Sequence, residues 1–221
     1  MKALIVGASR GLGLEFVRQY RISGAAVTAT ARDAEGLARL EALGAKALHV
    51  DVTDVASASG LARLLDGEKF DVAVYNAGAY GPRSSGLDAP TADEFDAVMH
   101  TNVLGAMCVL PQLQGVLVPG AKLAVLSSRM GSIGERESPG GWLYRASKAA
   151  LNSVLKDASL VLNGQAICVA LHPGWVKTDM GGAGADLTSE QSVADLRQLI
   201  AGLRTTDTGK FFNHDGSTIA W

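Results

Sequence analysis

Two side chains that could transfer a proton, Tyr144 and Lys148, lie four positions apart in the run Tyr144-Arg145-Ala146-Ser147-Lys148. A helix-forming sequence follows this run, and residues four apart on a helix share one face. An ammonium group held beside a phenol favours the phenolate and lowers the pKa of the hydroxyl from its ordinary value of about 10. The pair is therefore typical of a general acid or base that works near neutral pH.

Polar residues earlier in the chain could complete such a site. Ser127 and Ser128 follow a predicted strand, and the carboxyl ends of central strands face the crevice in which α/β sheets bind ligands. Only one of the two hydroxyls can face the site, because side chains alternate along a strand. Asn102 lies among apolar residues of a predicted helix, where it either belongs to the site, kinks the helix or faces solvent.

Strands and helices that alternate along the chain must position these residues. The strands are apolar throughout, which indicates burial on both faces, as in a parallel sheet covered by helices. We predict one α/β domain over residues 1–221, a doubly wound parallel sheet (Rossmann-like) of about seven strands with helices on both faces. Strands are predicted at residues 3–6, 26–30, 47–50, 71–75, 122–126, 165–171 and 211–212. Helices are predicted at residues 12–22, 34–43, 55–65, 92–118 (interrupted near Pro111), 142–162 and 189–203.

A glycine-rich turn joins the first predicted strand to the first predicted helix. Its sequence is Gly7-Ala8-Ser9-Arg10-Gly11-Leu12-Gly13, with the spacing G-x-x-x-G-x-G. Such a turn lets backbone N–H groups and a helix N-terminus face a pyrophosphate with no Cβ in the way. An ordinary glycine-rich turn is the alternative, but the position directly after an apolar strand favours nucleotide binding.

The end of the second predicted strand favours NADP(H) over NAD(H). A carboxylate at this position would bind both ribose hydroxyls of NAD, whereas a cation accommodates the 2′-phosphate of NADP. The strand is followed by Arg32, and Arg10 adds a second cation from the glycine turn. Asp33 comes one residue later and is expected to point elsewhere. The alternative is that both arginines are solvated surface charges.

Two further loops follow apolar strands and could line the same cofactor site. Asp51-Val52 comes after the third predicted strand, where an adenine ring would lie. Asn76-Ala77-Gly78 comes after the fourth, where small residues would let a cofactor pass close to the backbone. Neither loop is informative alone.

The composition of the chain indicates which kinds of partner and which cellular compartment to expect. Hydrophobic residues make up 48% of the 221 residues and the net charge is −2, which fits a folded domain without a nucleic-acid partner. The N-terminal apolar run ends at Gly7, which is too short for a signal peptide or a membrane span. Cys108 and Cys168 lie in apolar runs and are expected to be buried free thiols. We expect a cytoplasmic protein with no membrane or metal site.

Taken together, these motifs resemble the short-chain dehydrogenase/reductase family, and within it the C-factor-like carbonyl reductase branch. The motifs occur in the family's order and span nearly the whole chain. The residues that carry the resemblance are Gly7-x-x-x-Gly11-x-Gly13, Asp51, Asn76-Ala77-Gly78, Asn102, Ser128, Tyr144-x-x-x-Lys148 and Pro173-Gly174. The finer match rests on the runs 144–152, 172–182 and 211–221.

The resemblance implies a role for each catalytic residue. Tyr144 would donate a proton to a carbonyl oxygen, and Lys148 would lower the pKa of Tyr144 and hold the nicotinamide ribose. Ser128, the second serine of its pair as is usual in the family, would polarise the carbonyl. Asn102 would hold a water that relays protons to Lys148, and Thr178 would bind the nicotinamide carboxamide.

Further contacts and departures from the family pattern lie elsewhere in the chain. Pro173, Gly174 and Val176 complete the predicted cofactor contacts. Val6 and Tyr75 replace a threonine and an asparagine that the family usually has, which should change only local hydrogen bonds. The segment after Pro173 is short, with a glycine-rich lid at residues 181–184, which suggests an open substrate pocket. Candidate pocket walls, equally well explained as core residues, are Met180, Trp142 and Trp175.

The resemblance implies an NADP(H)-dependent oxidoreductase that transfers a hydride between the cofactor and a small carbonyl or alcohol substrate. A nucleotide-sensing protein that keeps the fold without turnover is the main alternative, and a methyltransferase on a similar sheet would leave the Tyr144–Lys148 pair idle. By analogy with the family, a homodimer or homotetramer is expected.

Overall fold

The computed structural model describes residues 1–221 and contains one parallel sheet of seven strands. The spatial order is β3-β2-β1-β4-β5-β6-β7, and every neighbouring pair is parallel. The predicted doubly wound fold is therefore confirmed. The strands are β1 Lys2–Val6, β2 Ala26–Ala31, β3 Lys46–His49, β4 Phe70–Tyr75, β5 Leu117–Leu126, β6 Ala166–His172 and β7 Lys210–Asn213.

Helices cover both faces of the sheet because its side chains alternate between two apolar cores. Leu4 and Val6 of β1 face one core, and Ala3 and Ile5 face the other. The α-helices are α1 Gly11–Ile22, α2 Ala34–Ala42, α3 Val55–Ser59, α4 Leu61–Leu64, α5 Ala92–Met99, α6 Gly105–Leu113, α7 Trp142–Val161 and α8 Ser189–Gly202.

The prediction of one long helix at residues 92–118 is wrong in two respects. The helix is interrupted by a π-helical turn at His100–Leu104, not near Pro111, which lies inside α6. It also ends at Leu113, because the apolar residues that follow belong to β5, which begins at Leu117 and not at residue 122. A π-helical turn has no clear signal in hydrophobic periodicity, and such turns are frequent at functional sites.

The ends of β1 and β4 lie at the point where the order of the strands in the sheet reverses. β1 lies between β2 and β4, so the chain leaves β1 toward one side and β4 toward the other. Val6 pairs with Tyr75 in register, and Gly7 and Asn76 therefore leave the sheet side by side. A crevice outside the carboxyl ends of strands at such a switch point is where open α/β sheets bind ligands.

Several smaller observations complete the description of the fold. Cys168 is buried as predicted, but Cys108 is only half-buried; neither forms a disulfide. No helix combines the length and apolar character needed to span a membrane. No group of three His, Cys, Asp or Glu side chains is arranged to hold a metal ion.

Candidate active site

A cleft of about 630 Å³ opens at the switch point between β1 and β4. This volume is typical of a pocket for a small ligand or cofactor. Most of the predicted site residues line it. They are Gly7, Ser9, Arg10, Gly11, Leu12, Arg32, Asp51, Val52, Asn76, Ala77, Gly78, Tyr144, Lys148, Pro173 and Thr178.

The glycine turn has the backbone geometry of an anion cradle. Gly7 has a φ of +81°, and a Cβ on it would lie 2.8 Å from Ala77. Asn76 Nδ2 donates to the Gly7 carbonyl at 2.6 Å, which joins the turn to the end of β4. Helix α1 begins directly after Arg10 without a side-chain cap, so its first N–H groups and its positive dipole end face the cleft.

Three arginines surround the part of the cleft beside β2. Arg10 and Arg32 line it as predicted, and Arg39 of α2, which the sequence analysis did not single out, lines it as well. Arg39 Nε donates to the Ser9 carbonyl at 2.9 Å, because its side chain points back toward the start of its helix. Arg10 Nη1 forms an exposed ion pair with Asp179 at 2.7 Å.

Asp33 is turned to the start of α2. Its carboxylate accepts a hydrogen bond from the Gly36 N–H at 2.7 Å and so caps the helix. Gly36 is close-packed: a Cβ on it would lie 2.8 Å from the Cβ atoms of Ser9 and Ala31. One oxygen of the Asp33 carboxylate is therefore engaged by the backbone, although Asp33 lines the cleft together with the arginines.

Tyr144 and Lys148 are buried on the face of α7 that closes the other end of the cleft. Burial, and to a smaller extent the proximity of Tyr80, raises the pKa of Tyr144 to about 12, although a polar contact with Ser128 acts in the opposite direction. Burial lowers the pKa of Lys148 to about 8, and its Nζ donates to the Leu126 carbonyl at 2.9 Å.

The sequence predicts that Lys148 lowers the pKa of Tyr144; in the structure burial has the larger effect, and that pKa lies above its ordinary value. Lys148 Nζ lies 5.8 Å from the centre of the Tyr144 ring and donates to a backbone carbonyl. Burial is the largest influence on the pKa of the Tyr144 phenol. The Tyr144 hydroxyl therefore carries its proton at neutral pH, which is the form that a general acid requires.

Ser128, rather than Ser127, presents its hydroxyl to Tyr144. Atoms of Ser127 line the cleft, but its hydroxyl donates to Asn152 Oδ1 within the protein. The hydroxyl of Ser128 contacts the Tyr144 phenol and favours its ionised form. Ser128 also accepts a hydrogen bond from the Met130 N–H at 3.2 Å, which fixes its orientation at the end of β5.

Asn102 is fully buried in the π-helical turn and holds the loop after β4 against α7. Its Oδ1 accepts from the Ala79 N–H at 2.7 Å, and its Nδ2 donates to the Ala79 carbonyl and to Ser147 Oγ, both at 2.8 Å. A Cβ on Gly78 would lie 3.3 Å from both Asn102 Oδ1 and Lys148 Nζ. The Asn102 side chain is therefore shielded from solvent and hydrogen-bonded within the protein, and it lies beside Lys148.

Three residues predicted to contact the cofactor lie behind the cleft wall. A Cβ on Gly13 would overlap the Gly7 carbonyl, so Gly13 serves the packing of α1 on β1. Gly174 has a φ of +82° and packs against His214, and Val176 is buried in a bridge to Leu187. Gly174 and Val176 therefore shape the loop after β6, and none of the three residues lines the cleft surface.

The substrate end of the cleft contains residues that sequence reasoning missed. The Tyr80 ring stacks on the Tyr144 ring, with centroids 4.5 Å apart and planes inclined by 24°. Met180 lines the cleft, as predicted for a pocket wall. Trp142 and Trp175 do not: each donates its indole N–H to a nearby backbone carbonyl and remains partly exposed. The one signal for Tyr80 was its position two residues after Asn76-Ala77-Gly78.

Comparison with known proteins identifies the family. A family model described as short chain dehydrogenase matches residues 1–188. The C-signal protein of Myxococcus xanthus is 37% identical over 154 residues, covering 68% of this chain and 92% of that protein.

Two solved structures match over the whole chain. A short-chain dehydrogenase/reductase from Burkholderia multivorans with bound NADP has a TM-score of 0.90 and 31% identity, covering 100% of this chain and 99% of that chain. The carbonyl reductase Sniffer of D. melanogaster has a TM-score of 0.87 and 31% identity, with the same coverage. The chain belongs to the short-chain dehydrogenase/reductase family of oxidoreductases, as its motifs predict.

Proposed function

We propose that this protein is an NADP(H)-dependent oxidoreductase that reduces a ketone or an aldehyde, with Tyr144 as the general acid. One observation carries the proposal: Tyr144 and Lys148 line one end of a cleft whose other end is a glycine turn, and the Ser128 hydroxyl contacts the Tyr144 phenol. A site of this kind places a proton donor and a hydrogen-bond donor where a carbonyl could lie beside a dinucleotide.

The residues of the cleft fit a phosphorylated dinucleotide. The turn at Gly7 has no side chain to block a pyrophosphate, and the uncapped start of α1 favours an anion. Arg10, Arg32 and Arg39 would hold the 2′-phosphate, and the Asp33 carboxylate at the end of β2 is partly engaged as the cap of α2. NADP bound to the Burkholderia multivorans relative is consistent with this assignment. When bound, NADPH would supply the hydride that reduces the carbonyl carbon.

The side chains of the protein would handle the carbonyl oxygen. Ser128 Oγ would donate a hydrogen bond to this oxygen, and Tyr144 Oη would transfer its proton to it as negative charge develops. Lys148, whose pKa of about 8 leaves it mainly protonated at neutral pH, would stabilise the phenolate and hold the nicotinamide ribose. Asn102 Oδ1 accepts one protein hydrogen bond and keeps a lone pair for a water that relays protons to Lys148. Thr178 would bind the carboxamide.

A screen of carbonyl compounds tests the proposal. The protein is mixed with NADPH or NADH and a panel of aldehydes and ketones, and the absorbance of the reduced nicotinamide is followed. We expect steady consumption with at least one carbonyl, faster with NADPH than with NADH. Tight NADPH binding without consumption across the panel would instead favour the nucleotide-sensing alternative, and the absence of NADPH binding would contradict both. A cytoplasmic location and a homodimer or homotetramer remain predictions.

A further inference from the structure

We propose that Arg83 binds a carboxylate on the carbonyl substrate, so that the preferred substrates are oxo acids rather than neutral carbonyl compounds. The inference rests on the proposed oxidoreductase function and names a substrate class for the same site. It concerns the end of the cleft that the sequence motifs do not describe.

A stack of side chains connects Arg83 to the proposed proton donor. The Tyr80 ring lies on the Tyr144 ring at 4.5 Å, and the Arg83 guanidinium carbon lies 5.2 Å from the centre of the Tyr80 ring. The sum of these two distances is the upper limit of the distance between the Arg83 guanidinium carbon and the centre of the Tyr144 ring. The separation is short enough for one small molecule to reach both groups.

Contacts on several sides hold the exposed Arg83 beside two residues that line the cleft. Its Nη2 donates to the Met180 carbonyl at 3.0 Å, and both Met180 and Tyr80 line the cleft. The next residue, Ser84, accepts a hydrogen bond through its carbonyl from the Gly141 N–H at 2.9 Å, at the start of α7. The backbone and the guanidinium are therefore both fixed relative to the helix that carries Tyr144.

The charge of Arg83 is not neutralised by the protein. Arg83 has no carboxylate within 4 Å, whereas Arg10 and Arg129 are paired with Asp179 and Glu135. One hydrogen bond to a carbonyl leaves most of the five guanidinium N–H donors available. A planar guanidinium with free donors matches a carboxylate in a bidentate manner. The geometry and the charge therefore both favour an anionic substrate group.

A matched pair of substrates tests the inference. The turnover of 4-formylbenzoate and of its methyl ester is measured for the wild type, Arg83→Gln and Arg83→Lys. We expect the wild type to prefer the acid, and Arg83→Gln to lower kcat/KM for the acid by about tenfold while changing it less than about twofold for the ester. Arg83→Lys should lie between them, because it keeps the charge but loses the planar fork. Arg63→Gln, the same change at an exposed arginine outside the cleft, is the control.

A binding measurement separates this inference from the proposed function. Terephthalate, which carries no reducible aldehyde, is titrated calorimetrically into the wild type and Arg83→Gln, each with and without NADP⁺. Binding that weakens by about tenfold in Arg83→Gln would support the anion site even if no carbonyl were reduced. Equal binding by the two proteins, no binding to either, or an equal loss of turnover for acid and ester would overturn the role of Arg83.

Discussion

The two ends of the cleft are built in different ways. The end proposed for the cofactor phosphates consists of turns that directly follow β1 and β2, with a glycine at Gly7 where a Cβ would clash. The substrate end is lined by residues 79–80 and 178–180, which come from distant parts of the chain and lie beside the contact of Arg83 with Met180. The first end is therefore encoded locally, and the second depends on long-range contacts.

This difference determines how each end should respond to substitution. Loss of a group that would act on the carbonyl oxygen beside Tyr144 should lower turnover most. Loss of a phosphate ligand at the cofactor end should change the preference between the two cofactors. Changes that only alter the environment of Tyr144 or break an exposed ion pair should be smaller and visible in pH profiles or affinities.

Removal of the Ser128 hydroxyl is expected to have the largest of these effects. Ser128→Ala should lower turnover by about 100-fold or more, because one hydrogen bond to the developing oxyanion is lost. The contact with Ser128 lowers the pKa of Tyr144, so its removal should raise that pKa. In alcohol oxidation, where the phenolate is the base, the midpoint of the pH profile should move to higher pH. Ser127→Ala is the matched control, and an equal effect there would contradict the assignment.

Reversal of charge at Arg32 tests the cofactor end. Arg32→Asp should reduce the preference for NADPH over NADH by about tenfold or more, because the carboxylate would repel the 2′-phosphate. The ratio of kcat/KM for the two cofactors measures the effect. Arg63→Asp makes the same change outside the cleft and should leave the ratio unchanged. An unchanged ratio in Arg32→Asp would show that Arg32 does not contact the phosphate.

Replacement of Tyr80 tests the substrate end. Burial and the proximity of Tyr80 raise the pKa of Tyr144, so Tyr80→Leu should lower that pKa as water reaches the phenol. The midpoint for alcohol oxidation should then move to lower pH, opposite to the shift in Ser128→Ala. Tyr80→Phe keeps the ring and should shift less. Identical profiles for wild type and Tyr80→Leu would contradict a role for the stack.

The exposed ion pair between the two ends should have the smallest effect. Arg10 is paired with Asp179, and we infer that this pair must open before Arg10 can bind a phosphate. Asp179→Asn should therefore tighten NADPH binding by about twofold to threefold, as expected for an exposed pair. NADH affinity, measured by the same titration, should not change. Weaker NADPH binding in Asp179→Asn would indicate instead that the pair helps to close the site.

The contrast between the two ends also explains how much the sequence could predict. Apolar strands, the turn at Gly7 and the four-residue spacing of Tyr144 and Lys148 are local patterns, and the fold and most cleft-lining residues follow from them. The π-helical turn around Asn102 was missed because periodicity does not distinguish it from an α-helix. Tyr80 was missed because only tertiary packing brings it onto Tyr144.

The sequence also could not predict that the pKa of Tyr144 is raised rather than lowered. Spacing alone placed an ammonium near the phenol, but it could not show how deeply both groups are buried or that Lys148 Nζ donates to the Leu126 carbonyl. Desolvation depends on the whole fold, and here it exceeds the effect of the neighbouring charge.

The central claim, that Tyr144 Oη delivers the proton, is tested most directly by Tyr144→Phe. The phenylalanine keeps the ring that packs against Tyr80 and removes only the hydroxyl. We expect turnover of a carbonyl substrate to fall by about 100-fold to 10,000-fold, while the NADPH dissociation constant from calorimetric titration stays within about twofold of the wild type. Turnover at the wild-type rate in a variant that still binds NADPH would contradict the account.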